Sequence, residues 1–515
     1  MEKNTNKKVR LRQIKRSDYK EIVELQLKCF SGMKPWSESQ FNNLLTNFPE
    51  GQICILMQNK IVASCSGLVI HSDNYSETSS WNELTDNGNI SNHSLKGDTL
   101  YGLEIMVDPL YRGMKLSRRL YDARKNLAKH FNLKRILIGG RLPHYIKYHK
   151  KMDISDYVSK VIDKKLYDPV LTAQLANGFS LKKVLPDYLP NDKESCGYAT
   201  LLEWTNFGFK DSAAIKQINY SPYVRVSAVQ YQMRSIKNFE EFARQCEYFV
   251  DASSDYKSDF VVFPEMITMQ LLSFLNDKRP AAAIRELSDY TGRYIELFTS
   301  LAIKYNINII GGSHFCIEND TLYNISFLFK RDGTYGKQYK IHITPYETKW
   351  WGVKGGNRIE IFDTDKGKVA ILICYDIEFP ELARIAVSKG AKILFVPFNT
   401  DDRRAYLRVR YCAQARAIEN QVYTVITGCV GNLPEVDNLD IHFSQSAILT
   451  PSDVEFSREA IAAEAVPNTE TLIYQDLDLN LLERNREMGN AQTWNDRKKG
   501  FYTLSYTENG DQVVV

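Results

Sequence analysis

The chain has 515 residues, 43% of them hydrophobic and 25% charged, with a formal net charge of +4. That length exceeds one ordinary core and points to two or three domains, and so small a charge gives no electrostatic reason to expect a nucleic-acid partner. No apolar run approaches the ~18 residues of a membrane span, and the basic start MEKNTNKKVR has no apolar segment behind it. A cytoplasmic protein without a membrane partner is therefore expected. Nine cysteines without paired spacing, no CxxC, no HExxH and only eight histidines fit reduced thiols and no metal site.

In chain order, residues 9–14 alternate as a strand, and Ser17-Asp18 caps a helix carrying Ile22, Leu25 and Cys29 at helical spacing. QICILMQNKIVASCSGLVI reads as a hairpin turning at Asn59-Lys60. Residues 72–98, rich in Ser, Asn and Asp, read as a long surface loop, with a substrate lid as the functional alternative. DTLYGLEIMVDP is a strand, LYRGMKLSRRLYDARKNLAKHF enters a long amphipathic helix, LKRILIGGRLP is a strand, and residues 180–204 form a closing hairpin. Residues 206–222 have little periodicity and hold the linker. The expected division is a domain at 1–212, a linker at 213–222 and a second domain at 223–515. From Tyr223 onward strands alternate with helices, which implies an α/β fold with the sheet covered by helices.

Three strand ends in the second half carry reactive groups: Glu265 after VVFP, Lys340 after KQY, and Cys374 after LI. Strand ends are where open α/β sheets gather chemistry, because the loops are exposed and the sheet is rigid. A thiol, a carboxylate and an ammonium suit the opening of a carbon–nitrogen bond. The carboxylate takes the thiol proton and later gives it to the departing amine, and the ammonium offsets charge on the attacked oxygen. Taken singly, each has a plain structural reading: Cys374 as a core thiol, Glu265 as a helix cap, Lys340 as a solvated lysine.

Together, VVFPEM, KQYKIHITPYE, LICYDIEFPEL, AQARAIENQ, SQSAILTPSD and DLDL resemble the nitrilase, or carbon–nitrogen hydrolase, superfamily. The resemblance runs over 223–502 and implies an α-β-β-α sandwich that forms homodimers or larger oligomers. It also implies a Glu-Lys-Cys triad. Glu265 matches the general base and acid, Lys340 the oxyanion-stabilising lysine and Cys374 the nucleophile. Glu347 matches a second acid that orients the substrate or the base, and the Tyr375 amide an oxyanion donor. The implied substrate is a small-molecule amide, with a nitrile as the lesser alternative, and the hydrolase half needs no metal or organic cofactor. Transfer of the acyl group to an acceptor other than water is the rival enzyme reading. Glutaminases of the amidotransferase type need a glycine-flanked cysteine, and no GxSxG is present.

The first half carries VDPLYRGMKLSRRL, a strand, a turn and a helix start with Arg112, Gly113, Lys115 and Ser117. With its element order it resembles the GNAT N-acetyltransferases over 9–204, whose mixed α/β fold binds acetyl-CoA pyrophosphate at a helix N-terminus. The implied cofactor-binding residues are Val107, Arg112, Gly113, Lys115 and Ser117, and the implied partner is an amine acceptor. Lys115 stands where the family usually has glycine, and Ser117 where it has glycine or alanine. Glu104 is the candidate base, with Tyr101, Tyr145 and Tyr148 behind it. A bifunctional enzyme is expected, with an acetyl-CoA sensor or an assembly module as the alternative for this half.

Overall fold

The computed structural model describes residues 8–30, 32–72, 79–209, 223–275, 279–434, 436, 441–498, 501–508 and 511–514. The expected linker at 213–222 lies outside them. The chain forms two compact units, Met1–Tyr220 and Ser221–Val515. No described helix is long and apolar enough to cross a membrane.

The first unit is a mixed α/β domain. Its strands are β1 (Val9–Gln13), β2 (Ile53–Met57), β3 (Lys60–Ile70), β4 (Thr99–Val107), β5 (Arg135–Arg141), β6 (Ser180–Leu185) and β7 (Ala199–Thr205). They lie in the order β1-β2-β3-β4-β5-β7-β6. Its helices are α1 (Tyr19–Cys29), α2 (Glu38–Asn47), α3 (Trp81–Thr85), α4 (Leu116–His130), α5 (Ile154–Ile162) and α6 (Leu171–Ala176). The β2–β3 turn falls at Gln58-Asn59, both at positive φ (52° and 61°), as a tight hairpin requires.

Among the described residues only β4 and β5 run parallel in this sheet, joined through α4, and their pairing runs from Thr99–Arg135 to Gly102–Ile138. Beyond Gly102 no pairing joins them. A bulge helps to turn β4 there: the β3–β4 register shifts between Ser66, opposite Glu104, and Gly67, opposite Gly102. The buried Arg124 of α4 donates to the Ser66 carbonyl at 2.6 Å and also to that of Glu104, both beside the bulge.

Residues 79–98, expected as a surface loop, are built into the domain. Ser80 and Glu83 cap α3 reciprocally, Leu84 and Ile90 enter the core, and the Val69 amide donates to His93 Nδ1 at 3.0 Å. Their apolar residues are too few and too irregularly spaced to announce this in sequence.

The second unit begins with β8 (Tyr223–Met233), α7 (Phe239–Asp255), β9 (Phe260–Val262), α8 (Pro280–Glu286), α9 (Thr291–Tyr305), β10 (Asn308–Glu318), β11 (Thr321–Phe329), β12 (Tyr335–Tyr339) and α10 (Pro345–Trp351). It continues through β13 (Ile361–Thr364), β14 (Gly367–Ile371), α11 (Pro380–Ser388), β15 (Ile393–Phe398), α12 (Arg403–Asn420), β16 (Tyr423–Asn432), β17 (Ile441–His442), β18 (Ala447–Leu449), β19 (Ile461–Glu464), β20 (Thr471–Asp478) and α13 (Leu479–Met488). A small hairpin, β21 (Ser505–Glu508) and β22 (Asp511–Val514), follows.

Two sheets result. One runs β12-β11-β10-β9-β8-β20 and the other β13-β14-β15-β16-β18-β19, and they join where Tyr231–Met233 pairs with Cys429–Gly431. Alternation along β8 and β9 sorts their side chains between two cores. Val226, Ala228, Phe260 and Val262 meet the second sheet, with the Phe260 and Phe395 rings 5.2 Å apart. Tyr231 and Phe263 meet α7 and α9 through Phe249 and Phe298. Strands such as β15, ILFVPF, are apolar throughout because both faces are covered.

Candidate active site

Four strand ends of the second unit meet in one buried site. β9 leads through Phe263-Pro264 to Glu265, and β12 runs directly into Lys340. β14 leads through Leu372-Ile373 to Cys374, and β15 leads directly into Asn399. Glu265 and Lys340 are 0% and 1% exposed, and Cys374 is 7% exposed.

Lys340 holds the centre. Its Nζ donates to Glu265 Oε1 at 2.8 Å and to Glu347 Oε2 at 2.6 Å. Two buried carboxylates thus share one ammonium, and a second donor helps: Asn324 Nδ2 reaches Glu265 Oε1 at 3.0 Å and Glu347 Oε1 at 3.2 Å. Glu347, the third residue of α10, is completed by the Thr344 amide and hydroxyl at 3.1 and 2.9 Å. Its oxygens thus meet Lys340, Asn324 and Thr344.

Cys374 opens a 3₁₀ turn, Cys374–Glu378, between β14 and α11, and its own φ is +46°. A left-handed cysteine costs on the order of 1 kcal/mol and holds the thiol at a sharp strand-to-helix corner without any flanking glycine. The thiol approaches the Asn399 carbonyl at 3.7 Å and feels the charge of the Glu265 carboxylate. The Asn399 amide donates to Glu265 Oε2 at 3.1 Å, and the Asn399 side-chain oxygen is paired with His442 Nδ1 at 2.8 Å.

The turn is tied to the lysine. Buried Asp376 accepts from the Ile341 and His342 amides at 3.1 and 2.7 Å, the two residues after Lys340. Tyr375 follows Cys374 and packs edge-on against Phe379.

Burial sets the resting protonation. It pushes the Cys374 thiol well above its usual range, and the Glu265 charge pushes it further, so the thiol rests neutral. Burial also raises Glu265, against the pull of Lys340. Glu347 feels the same burial, but Lys340 and Thr344 overcome it and hold the carboxyl below the ordinary glutamate range. Lys340 is raised by Glu265 and Glu347 in spite of burial, and stays charged.

Sequence reasoning missed Asn324, Asp376 and Asn399. The available signal was a polar residue inside the apolar strand LYNISFLF, where a buried amide needs partners.

In the first unit, Arg112 and Gly113 are exposed, Lys115 is the N-cap of α4 and Ser117 lies in its first turn. Gly113 has φ +84° with no heavy atom within 4 Å of where a Cβ would stand. Lys115 is itself left-handed, at φ 51°, which explains glycine at that position in the resembling family. The Val107 carbonyl accepts from the Cys29 thiol at 3.3 Å. Half-buried Glu104 accepts from Trp36 Nε1 and Gln26 Nε2, both at 2.9 Å, beside the point where β4 leaves β5. Tyr101 is fully buried with its hydroxyl against that of Tyr188, Tyr145 donates to the Met152 carbonyl, and Tyr148 packs at a tilt against Tyr157.

A carbon–nitrogen hydrolase family model matches residues 225–487, and an acetyltransferase (GNAT) family model matches residues 19–152. A Bacillus subtilis protein named "Probable hydrolase YhcX" is 51% identical over 500 residues, 97% of this chain and 98% of that one. "Uncharacterized N-acetyltransferase YkwB" of the same organism is 35% identical over 207 residues, 39% of this chain and 91% of its own. The "2-oxoglutaramate amidase" of Bacillus subtilis is 29% identical over 216 residues, 41% of this chain and 78% of its own. Among solved structures, Saccharomyces cerevisiae Nit3, described as a member of branch 10 of the nitrilase superfamily, matches with 26% identity and a TM-score of 0.44, over 52% of this chain and 93% of that one.

Proposed function

The chain belongs to the carbon–nitrogen hydrolase family and carries a GNAT domain ahead of its hydrolase domain, and from that premise we propose that Cys374, Glu265 and Lys340 hydrolyse a small-molecule amide. The observation that carries this reading is the buried cluster in which Lys340 Nζ binds Glu265 at 2.8 Å, the Asn399 amide binds the other oxygen of that carboxylate at 3.1 Å, and the Cys374 thiol approaches the Asn399 carbonyl at 3.7 Å.

The thiol proton passes to Glu265 as Sγ bonds the amide carbon, and the carbonyl oxygen becomes an oxyanion. The charge of Lys340 and the Tyr375 amide offset it in this reading. Glu265 returns the proton to the nitrogen, the carbon–nitrogen bond breaks, and ammonia or an amine leaves a Cys374 thioester. Water then gives its proton to Glu265 and attacks the thioester carbon. The acid departs and Glu265 reprotonates the thiol. An amide is favoured because a relative of this domain is named for one, 2-oxoglutaramate.

In the first domain the residues fit acetyl-CoA. Gly113 leaves its backbone open to close approach, Arg112 and Lys115 bring positive charge to the start of α4, and β4 and β5 part beyond Gly102. Acetyl-CoA, when bound, supplies an activated acetyl group. Arg112, Gly113, Lys115 and Ser117 would hold its phosphates, the β4 edge up to Val107 would hold its chain, and Glu104 would take the proton of an acceptor amine. The domains divide at 1–212 and 223–515 in this reading, and copies associate through the hydrolase domain.

Intact-mass spectrometry and ammonia release, for wild type and Cys374→Ala with a panel of amides and nitriles, test the proposal. Wild type should release ammonia and carry an acyl adduct, and the variant should lose at least about 10³-fold of the rate with no adduct. Full activity of Cys374→Ala removes the proposal.

A further inference from the structure

The two oxygens of Glu265 have unlike surroundings. Oε1 accepts from Lys340 Nζ at 2.8 Å and from Asn324 Nδ2 at 3.0 Å. Oε2 accepts from the Asn399 amide at 3.1 Å, and Asn399 is the residue whose carbonyl the Cys374 thiol approaches. An oxygen already facing two donors, one of them a cation, is the poorer place for a proton, because an O–H there would point at N–H groups. We infer that Asn324 is a positioning residue for hydrolysis: with Lys340 it keeps Glu265 Oε1 a pure acceptor and makes Oε2 the oxygen that exchanges a proton with Cys374. The inference rests on Glu265 being the base for Cys374.

Asn324 is fully buried on β11, and its carbonyl accepts the Lys340 amide at 2.9 Å. One strand position therefore sets both the lysine backbone and the carboxylate it serves. The same Nδ2 reaches Glu347 Oε1 at 3.2 Å, so one amide group bridges two acids that would otherwise repel. Turning the amide over would set Oδ1 against both carboxylates, so charge fixes its orientation. The titratable groups around Glu265 are Lys340, Glu347, Cys374 and, from β16, Cys429, whose thiol lies 3.6 Å from the Glu265 carbonyl and is kept neutral by burial. In the step itself the Cys374 S–H bond breaks and an O–H bond forms at Oε2, with no other reactant.

The test is the pH dependence of Cys374 alkylation by iodoacetamide, followed by peptide mapping, in the full chain and its Glu265→Gln, Asn324→Leu and Asn324→Ser variants. It needs no knowledge of the substrate. The Asn324 N–H groups favour ionised Glu265, so their loss raises the pH at which Glu265 ionises. The acid limb of alkylation should move up by about one pH unit in Asn324→Leu, with about a tenfold lower rate on the limb. Asn324→Ser, which keeps one donor, should lie between, and it serves if the leucine variant does not fold. A purely structural role would lower the alkylatable fraction and leave the limb in place. If Glu265→Gln leaves the Cys374 profile unchanged, the assignment of the base fails. If Glu265→Gln removes the limb while both Asn324 variants keep it at the wild-type pH, the inference alone fails.

Discussion

Lys340 stands between Glu265 and Glu347 with all three side chains at most 3% exposed. Breaking a buried ion pair by removing one partner leaves an uncompensated charge and costs about 3–5 kcal/mol. Lys340→Met keeps the length of the side chain and removes the charge, so its stability at pH 7 should fall by about that amount in urea unfolding, and hydrolysis should be lost. The sign with pH follows. Without the ammonium both glutamates have folded pKa values above their unfolded ones, so the folded state binds more protons and the variant regains stability as pH falls below neutrality. A wild-type urea midpoint at pH 7 would show that the ammonium does not hold the acids. Cys374 differs in kind: its left-handed φ of 46° is strain kept in place by the Asp376 ties and by the β15 strand alongside.

Among the elements, the turn after β14 and the strand end after β12 act as one piece because Asp376 accepts both the Ile341 and His342 amides. Asp376→Asn keeps the size and exchanges one acceptor for a donor, which sets an N–H2 against a backbone N–H. The expected cost is about 1–3 kcal/mol. Lys340 loses its alignment, so kcat should fall about tenfold with KM little changed, as steady-state kinetics would show. An unchanged kcat would mean that the strand ends hold their places without this carboxylate. In the first domain the element boundary before α4 is set by Lys115 at φ 51°. Lys115→Gly removes left-handed strain and adds some unfolded-chain entropy, for a net gain of roughly 0.5 kcal/mol, read as a rise of about 1–2 °C in that domain's thermal midpoint. A fall would mean that the lysine contacts outweigh the strain.

At the scale of the whole molecule, two compact units imply two unfolding events. In a calorimetric scan of the full chain, acetyl-CoA at 100 times its Kd should stabilise the first domain alone, by about 2.7 kcal/mol. A single transition displaced as one would count against two separable units, and no displacement would count against the acetyl-CoA reading. The sequence by itself determined the α/β alternation and the two families, and it put forward Glu265, Lys340 and Cys374 as candidates, because each of these is written locally, in apolar runs and the residues that end them. Tertiary structure alone decided what those residues face. Glu265 and Lys340 are 75 positions apart in the chain, and only the stacking of β9, β10, β11 and β12 brings them within 2.8 Å. The same stacking turns Asn324 from a polar interruption of an apolar strand into the amide between two acids, and in the first unit it is strand pairing of its own sheet that ends the β4–β5 contact at Gly102. Packing also drew residues 79–98 into the core through Leu84 and Ile90, two side chains too sparse to give a period. Periodicity reports which face of an element is buried; it carries no information about which distant element will cover it, and the site is made of such meetings.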